Sequence, residues 1–340
     1  MNVSLAVKYR PKDFEDVVAQ SSTVEILEKQ IKEEKHKNCY LLTGPAGTGK
    51  TTIARILARK LNKGQGTPHE VDAASKNSVD EVRQITEEAK LRELDAYFRI
   101  YIFDECHAFS NAAWQAFLKT IEEPPSRTIF IFCTTDAQKI PATILSRVQR
   151  FDFQRIPYNK IVSRLKYICQ QEGFTNYENS GGPEYIAKLA EGGMRDAITM
   201  LDKCASYNTD ISLENVVSSL GTVNYEVMFD LINAIIDRDE LKTLNILDQT
   251  FQKGTDLKLF LNQFALFILD INKYLLLPNF DLIKIPSIYK QQIEYVINLD
   301  NAKTFYNTVL ENLITIKDVI KWETQVKATL ELYMLKLCRS

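Results

Sequence analysis

The chain lacks most of the features that would place it in a specialised class. Its six cysteines, Cys39, Cys106, Cys133, Cys169, Cys204 and Cys338, are scattered and form no CxxC pair. The expectation is reduced thiols in a cytoplasmic protein rather than a disulfide framework. Net charge is nearly absent, with 42 Lys plus Arg against 44 Asp plus Glu and a formal charge of −2. That balance excludes binding to nucleic acid through the overall field; any DNA contact must come from a local patch or from several subunits together. The first residues, MNVSLAVKYRPKDF, hold no apolar core of the length a signal peptide needs. The most apolar late stretch, FLNQFALFILDINKYLLL, is interrupted by Asn262, Asp270, Asn272 and Lys273, so no segment is expected to span a membrane. Strong internal repeats and low-complexity segments are missing too.

What remains is an ordinary globular composition, 45% hydrophobic and 25% charged, in 340 residues. That length is too great for one core, and two or three domains are expected. One stretch dominates the reading. An apolar run, Cys39 to Thr43, leads into Gly44-Pro45-Ala46-Gly47-Thr48-Gly49-Lys50-Thr51 and then into a helical pattern that begins Thr51-Thr52-Ile53. A strand, a glycine-rich loop and a helix in that order form a phosphate loop. Glycines let backbone N–H groups curl around a polyphosphate, which then lies on the helix N-terminus. Lys50 is placed to reach the β- and γ-phosphates, and the Thr51 hydroxyl to ligate the bridging Mg²⁺.

The partner motif follows at RIYIFDE, where a buried apolar strand ends in Asp104 and Glu105. Asp104 would hold Mg²⁺ through its water shell and Glu105 would orient the attacking water. His107 reads as a structural neighbour, because Glu105 already fills the role of base. Thr128 to Cys133 makes a second uninterrupted strand and ends in Thr134-Thr135-Asp136, at the edge where ligands bind in such sheets. Beyond a short helical turn stands Ser146-Arg147. That arginine either pairs locally with a carboxylate or reaches a γ-phosphate, and spacing does not separate the two.

Elsewhere the pattern is helical. A capped helix is expected from Ser22, with Val24, Leu27 and Ile31 inward. Ser78 is the expected cap of a helix burying Val79, Val82 and Ile85, and Lys76, Asn77 and Arg83 cluster at its first turns. They form either a solvated face or a phosphate-binding helix end. After Pro157 strand signals nearly vanish. Asn159 is read as the cap of a helix stopped by Gly173, Pro183 opens the next, and Gly192-Gly193 precedes a third that starts with Arg195. Arg195 faces what the helix start faces, or it pairs with Asp196 or Glu191. From Gly221 onward three- and four-residue apolar spacing continues to the end, with Phe229, Phe251, Phe260, Phe264 and Tyr274 expected in the core.

Taken in order, KYRPKDFEDVVAQ, GPAGTGKTT, VDAAS, DECH, NAAWQAFLKTIEEPP, CTTDAQKIPATILSRVQRF and GGMRDAITMLD closely resemble the clamp-loader ATPases of bacterial DNA polymerase III, the gamma/tau family, from about residue 7 to 205. The resemblance implies an α/β AAA+ ATPase domain with a parallel sheet at 1–157, a small helical lid at 158–220 and an all-α collar at 221–340. It implies that Tyr9, Arg10, Pro11, Val17 and Val18 close over the adenine. It assigns Thr135 to sensing the γ-phosphate, Arg147 to the neighbouring subunit's ATP, and Arg195 to its own. Lys76, Arg83 and Lys119 match positions facing DNA inside the family's ring.

Two departures stand out. The family's four-cysteine zinc module is replaced by NKGQGTPHE, so ATP and Mg²⁺ are expected without zinc. Val148 stands where the Ser-Arg-Cys motif has cysteine. The chain also stops at Ser340, short of the long form's tail. The expected partners are other clamp-loader subunits in a ring, expected to be pentameric, with a sliding clamp and primer-template DNA. The alternatives carried forward are another DNA-associated AAA+ motor of the branch-migration or recombination type, a replication factor C-like small subunit, and a scaffold that binds ATP only to hold a ring together.

Overall fold

Apolar strands buried on both faces need helices on both sides, and the computed structural model, which describes residues 3–91, 93–221 and 225–339, has that layering. Five strands, β1 (Cys39–Thr43), β2 (His69–Asp72), β3 (Arg99–Asp104), β4 (Thr128–Thr134) and β5 (Gln149–Asp152), form one parallel sheet. Their order is β2-β3-β4-β1-β5. Every residue of β1 and β4 is buried, whereas each edge strand buries only one. Strand β5 was not foreseen for that reason, since Phe151 is its single apolar residue.

Alternate side chains divide the sheet between two cores, as the two-residue repeat of a strand requires. Leu41, Tyr101, Phe103, Phe130 and Phe132 face one way, toward Val82 and Ile85 of helix Val79–Glu88 and Trp114 and Phe117 of helix Asn111–Glu122. Phe103 lies 5.0 Å from Phe132 and 5.2 Å from Phe117, ring centre to ring centre. Tyr40, Leu42, Ile100, Ile102, Ile129 and Ile131 face the other way, toward helix Lys50–Leu61 and Leu27 of helix Ser21–Lys32.

Two expected helix caps are absent. Helix Ser21–Lys32 starts one residue earlier than read, behind Gln20 in a left-handed conformation, and has no side-chain cap. The Gln20 amide is spent instead on the backbone of Gln154, donating to its carbonyl at 2.8 Å. Helix Tyr158–Glu172 starts behind Pro157, so Asn159 lies inside its first turn and does not cap it. Ser78, by contrast, makes a reciprocal capping box with Glu81, and Gly173 closes its helix at φ +70°. Helices Gly182–Leu189 and Met194–Tyr207 complete the first of two compact units, Met1–Ser212 and Leu213–Ser340.

The second unit is helical, with Leu213–Leu220, Tyr225–Ile236, Glu240–Gln252, Leu257–Leu276, Lys290–Ile297, Ala302–Ile320 and Val326–Arg339. The final apolar pattern divides into two helices, Ala302–Ile320 and Val326–Arg339, broken where Glu323, Thr324 and Gln325 interrupt the spacing. Phe251 is a correction: it is 48% exposed, with the Lys327 ammonium 4.9 Å from its ring centre, while Phe229, Phe260, Phe264 and Tyr274 are buried. Helix Leu257–Leu276 is long and apolar enough to cross a membrane by length and composition alone. Half of it is buried, however, it packs along Ala302–Ile320, and two of its polar side chains bond within the protein. Asp270 accepts from the Lys284 amide at 2.7 Å, and Asn272 donates to Asn307 at 2.9 Å. It is accounted for as a core helix.

The aromatic layer gives the first prediction. Phe103→Ala, emptying a site with no exposure, should destabilise the first unit by about 3–5 kcal/mol in denaturant unfolding.

Candidate nucleotide site

The parallel register brings three strand ends to one edge. Thr43 lies opposite Thr134 and Asp152, and Asp72 opposite Asp104. Chain leaving β1 therefore enters the glycine loop beside the carboxylates that end β3 and the threonines that end β4. Gly44 begins the loop at φ +146°, and a Cβ there would stand 2.3 Å from the Phe153 carbonyl oxygen. Gly49 caps the following helix at φ +103°. Lys50 is 6% exposed and donates to the carbonyls of Gly44 (2.8 Å) and Pro45 (2.9 Å). Desolvation lowers its pKa from the ordinary lysine value, against the opposing pull of Glu105 and Asp104. With three N–H donors on the ammonium, one remains for a phosphate oxygen.

Thr51 donates to Asp104 Oδ2 at 3.0 Å. A hydroxyl and one carboxylate are the small, hard oxygen set that suits Mg²⁺, which keeps most of its waters and takes its other ligands from phosphates. Among the described residues no group of three or more His, Cys, Asp or Glu is arranged to hold a metal ion. Glu105 has a left-handed backbone, φ +48°, an uncommon conformation for a side chain that is not glycine. Its Oε2 accepts from the Thr135 hydroxyl at 2.9 Å and the Thr135 amide at 3.3 Å. His107 Nδ1 lies 3.2 Å from the same oxygen and 3.1 Å from Thr134 Oγ1. The structure thus places Thr135, expected at the γ-phosphate, directly on the glutamate, and gives His107 a structural place beside it.

One cavity gathers most of the expected residues. Its walls include Ala46 to Thr52, Asp104, Glu105, Arg195, and Tyr9, Arg10, Pro11, Val17 and Val18 of the N-terminal arm. The Gly192-Gly193 turn comes against the loop: the Met194 amide donates to the Gly47 carbonyl at 3.0 Å, and a Cβ on Gly47 would lie 3.1 Å from Gly193 Cα. Arg164, Ile156, Met194 and Ile198 also line the cavity and were missed. Arg164 sits in a helical pattern where it reads as one more solvated charge.

Other residues lie apart from it. Arg147 pairs with Glu122 at 2.7 Å and donates to the Thr143 carbonyl at 2.6 Å, the local alternative that spacing had left open. Lys76, Arg83 and Lys119 are exposed, and Arg83 reaches Asp80 at 3.4 Å.

Comparison with known proteins points the same way. Residues 69–157 match the family model described as DNA polymerase III, delta subunit, and residues 211–340 match DNA polymerase III subunits gamma and tau domain III. DNA polymerase III subunit tau of Bacillus subtilis is 33% identical over 98% of this chain and 62% of its own length. DNA polymerase III subunit gamma of Buchnera aphidicola subsp. Acyrthosiphon pisum is 30% identical over 98% of both chains. The chain spans 48% of the gamma/tau subunit of Mycoplasma genitalium. Among solved structures, the RuvB Holliday junction branch migration motor of Thermotoga maritima superposes with a TM-score of 0.54 at 20% identity, covering 67% of this chain and 79% of that one. Strand order, phosphate loop, paired carboxylates and these relatives define an AAA+ ATPase fold. The chain belongs to the DNA polymerase III gamma/tau subunit family.

The tightest approach in the site supplies a test. Gly44→Ala places a methyl group against a backbone carbonyl at a φ that side chains resist. Titration with a fluorescent ATP analogue should show binding weakened at least about tenfold, a loss of about 1.4 kcal/mol.

Proposed function

We propose that this chain is an ATP-hydrolysing clamp-loader subunit, acting in the cytoplasm. With partner subunits in a ring, expected to be pentameric, it opens a sliding clamp and loads it onto primer-template DNA. The observation that carries the reading is the Thr51–Asp104 contact, 3.0 Å long, with Glu105 next in sequence and the same cavity walled by arm and lid. Loop amides and Lys50 bind the phosphates, Tyr9 to Pro11 with Val17 and Val18 enclose the base, and Arg195 contacts the phosphates from the lid. Thr51 and Asp104, the latter through water, would hold Mg²⁺, which would supply charge neutralisation at the phosphates.

Glu105 polarises the attacking water. In the chain alone its contacts fall on Oε2, and the strongest comes from the Thr135 hydroxyl. A hydroxyl has one proton to donate. When Thr135 turns that proton to a γ-phosphate, it withdraws it from Glu105, so sensing and release of the glutamate are one exchange. Arg147 serves the neighbour's ATP in trans, and its partner Glu122 gives it up on docking. Both are partly exposed, where an ion pair is worth little and exchanges readily.

The deciding measurement is steady-state ATPase activity with and without candidate partner subunits, clamp and primed DNA. Stimulation should require both clamp and DNA; full stimulation by DNA alone would indicate a different DNA motor, and no turnover under any condition a nucleotide-binding scaffold. Arg147→Ala should leave ATP binding intact and reduce stimulated hydrolysis by ~10³ or more, and ordinary turnover would remove the trans assignment. Replacing Lys76, Arg83 and Lys119 together with alanine should flatten the dependence of log affinity for primed DNA on log salt by about two to three units. An unchanged slope would show that they do not touch the backbone phosphates.

A further inference from the structure

The N-terminal arm crosses the nucleotide cavity with its two ends fastened to different bodies. Its inner end belongs to the sheet domain: Phe14 is buried in the core beneath helix Lys50–Leu61, and Asp13 pairs with Lys60 at 2.7 Å. Its outer end belongs to the lid. The Leu5 amide donates to Asp202 Oδ2 at 3.1 Å on helix Met194–Tyr207. Lys8 pairs with Glu172 at 2.6 Å, and the Tyr9 hydroxyl donates to the same Glu172 oxygen. Arg164 donates to the Tyr9 carbonyl at 3.0 Å while its guanidinium lies 5.1 Å from the ring centre of Tyr167, which meets the Tyr9 ring edge-on.

Arg164 and Glu172 have no part in the phosphate chemistry described above, yet both take hold of the arm where Tyr9, Arg10 and Pro11 line the cavity. The two grips differ in kind. Arg164 fixes a backbone carbonyl and so the path of the chain, whatever side chain stands at residue 9. Glu172 fixes side chains. Its carboxyl is held below the ordinary range by its bonds to Lys8 and Tyr9, while burial, then Glu172, pushes the Tyr9 phenol up to about 12. Each group thus keeps the form the contact needs, ionised carboxylate and neutral phenol, across the physiological range.

We propose that Arg164 and Glu172 are positioning residues for nucleotide binding. They latch the arm to the lid, so that the wall of the base pocket travels with the lid and a nucleotide leaves when this latch gives way. The proposal rests on the reading of the cavity as the ATP site. It differs from a purely structural role in what it predicts: loss of the latch falls on KM, on nucleotide release and on the choice of base, not on the hydrolytic step at saturating ATP.

The experiment uses the full chain with ribose-labelled ADP and GDP in stopped flow, alongside steady-state kinetics. Arg164→Ala should speed ADP release about tenfold, the effect of one charge-assisted hydrogen bond. It should also raise KM far more than it lowers kcat and narrow the preference for adenine over guanine. Arg164→Lys, which keeps a donor for the Tyr9 carbonyl, should restore part of each. Glu172→Gln, isosteric and mild enough to fold, should speed ADP release about threefold, the smaller effect expected of a partly exposed pair. Unchanged release and base preference in Glu172→Gln, and in Arg164→Ala if that variant folds, would overturn the latch. Lys50→Ala serves as the separate control: were it to bind nucleotide like the parent chain, the site reading itself would fall, independently of the latch.

Discussion

The parallel pairing of β4 between β3 and β1 is the constraint from which the site follows. Three strands running the same way must end at the same edge, and there each carries a different kind of group: peptide N–H donors after β1, carboxylates after β3, hydroxyls after β4. No side chain has to be brought there by a long excursion. The cost is crowding, met at Gly44, where the loop passes so close to the Phe153 carbonyl that no Cβ fits. The loop's shape is therefore set by the sheet's register as much as by its own glycines, and anything that shifts β5 shifts the phosphate site.

Both fully buried strands were legible in the sequence because burial on two faces removes polar interruption, and their chemistry was legible because it sits at their ends. Ser78 could be named as a cap because a capping box leaves Glu81 at a fixed offset. Ser22 and Asn159 show the limit of such rules. A residue that would suit a cap falls inside the first turn when a left-handed Gln20 or a preceding proline sets the helix start. Phe151 alone could not announce β5, and Phe251 shows that helical spacing gives a face without saying whether anything covers it.

The residues lining the candidate nucleotide cavity divide in the same manner. Those of the loop and of β3 are contiguous and could be read as motifs. The arm could be placed only through family resemblance, because nothing in KYRPKDF specifies what it crosses. Arg164 and Glu172 could not be found at all, because the meaning of each depends on a segment more than 150 positions away. The carboxylate partner of Arg147 was equally hidden, since the carboxyl end of helix Asn111–Glu122 meets that arginine only through the fold.

The meeting of the Met194 amide with the Gly47 carbonyl is a contact of main chain with main chain, flanked by two glycines. No side chain mediates it, so helix Met194–Tyr207 meets the loop's backbone rather than its side chains. If loop amides turn toward a phosphate as proposed, the Gly47 carbonyl on which helix Met194–Tyr207 begins would turn with them. On the proposed reading of the cavity, this contact would couple helix Met194–Tyr207 to the shape of the phosphate loop by a route separate from the Arg195 side chain, one that substitutions altering charge nearby would leave in place.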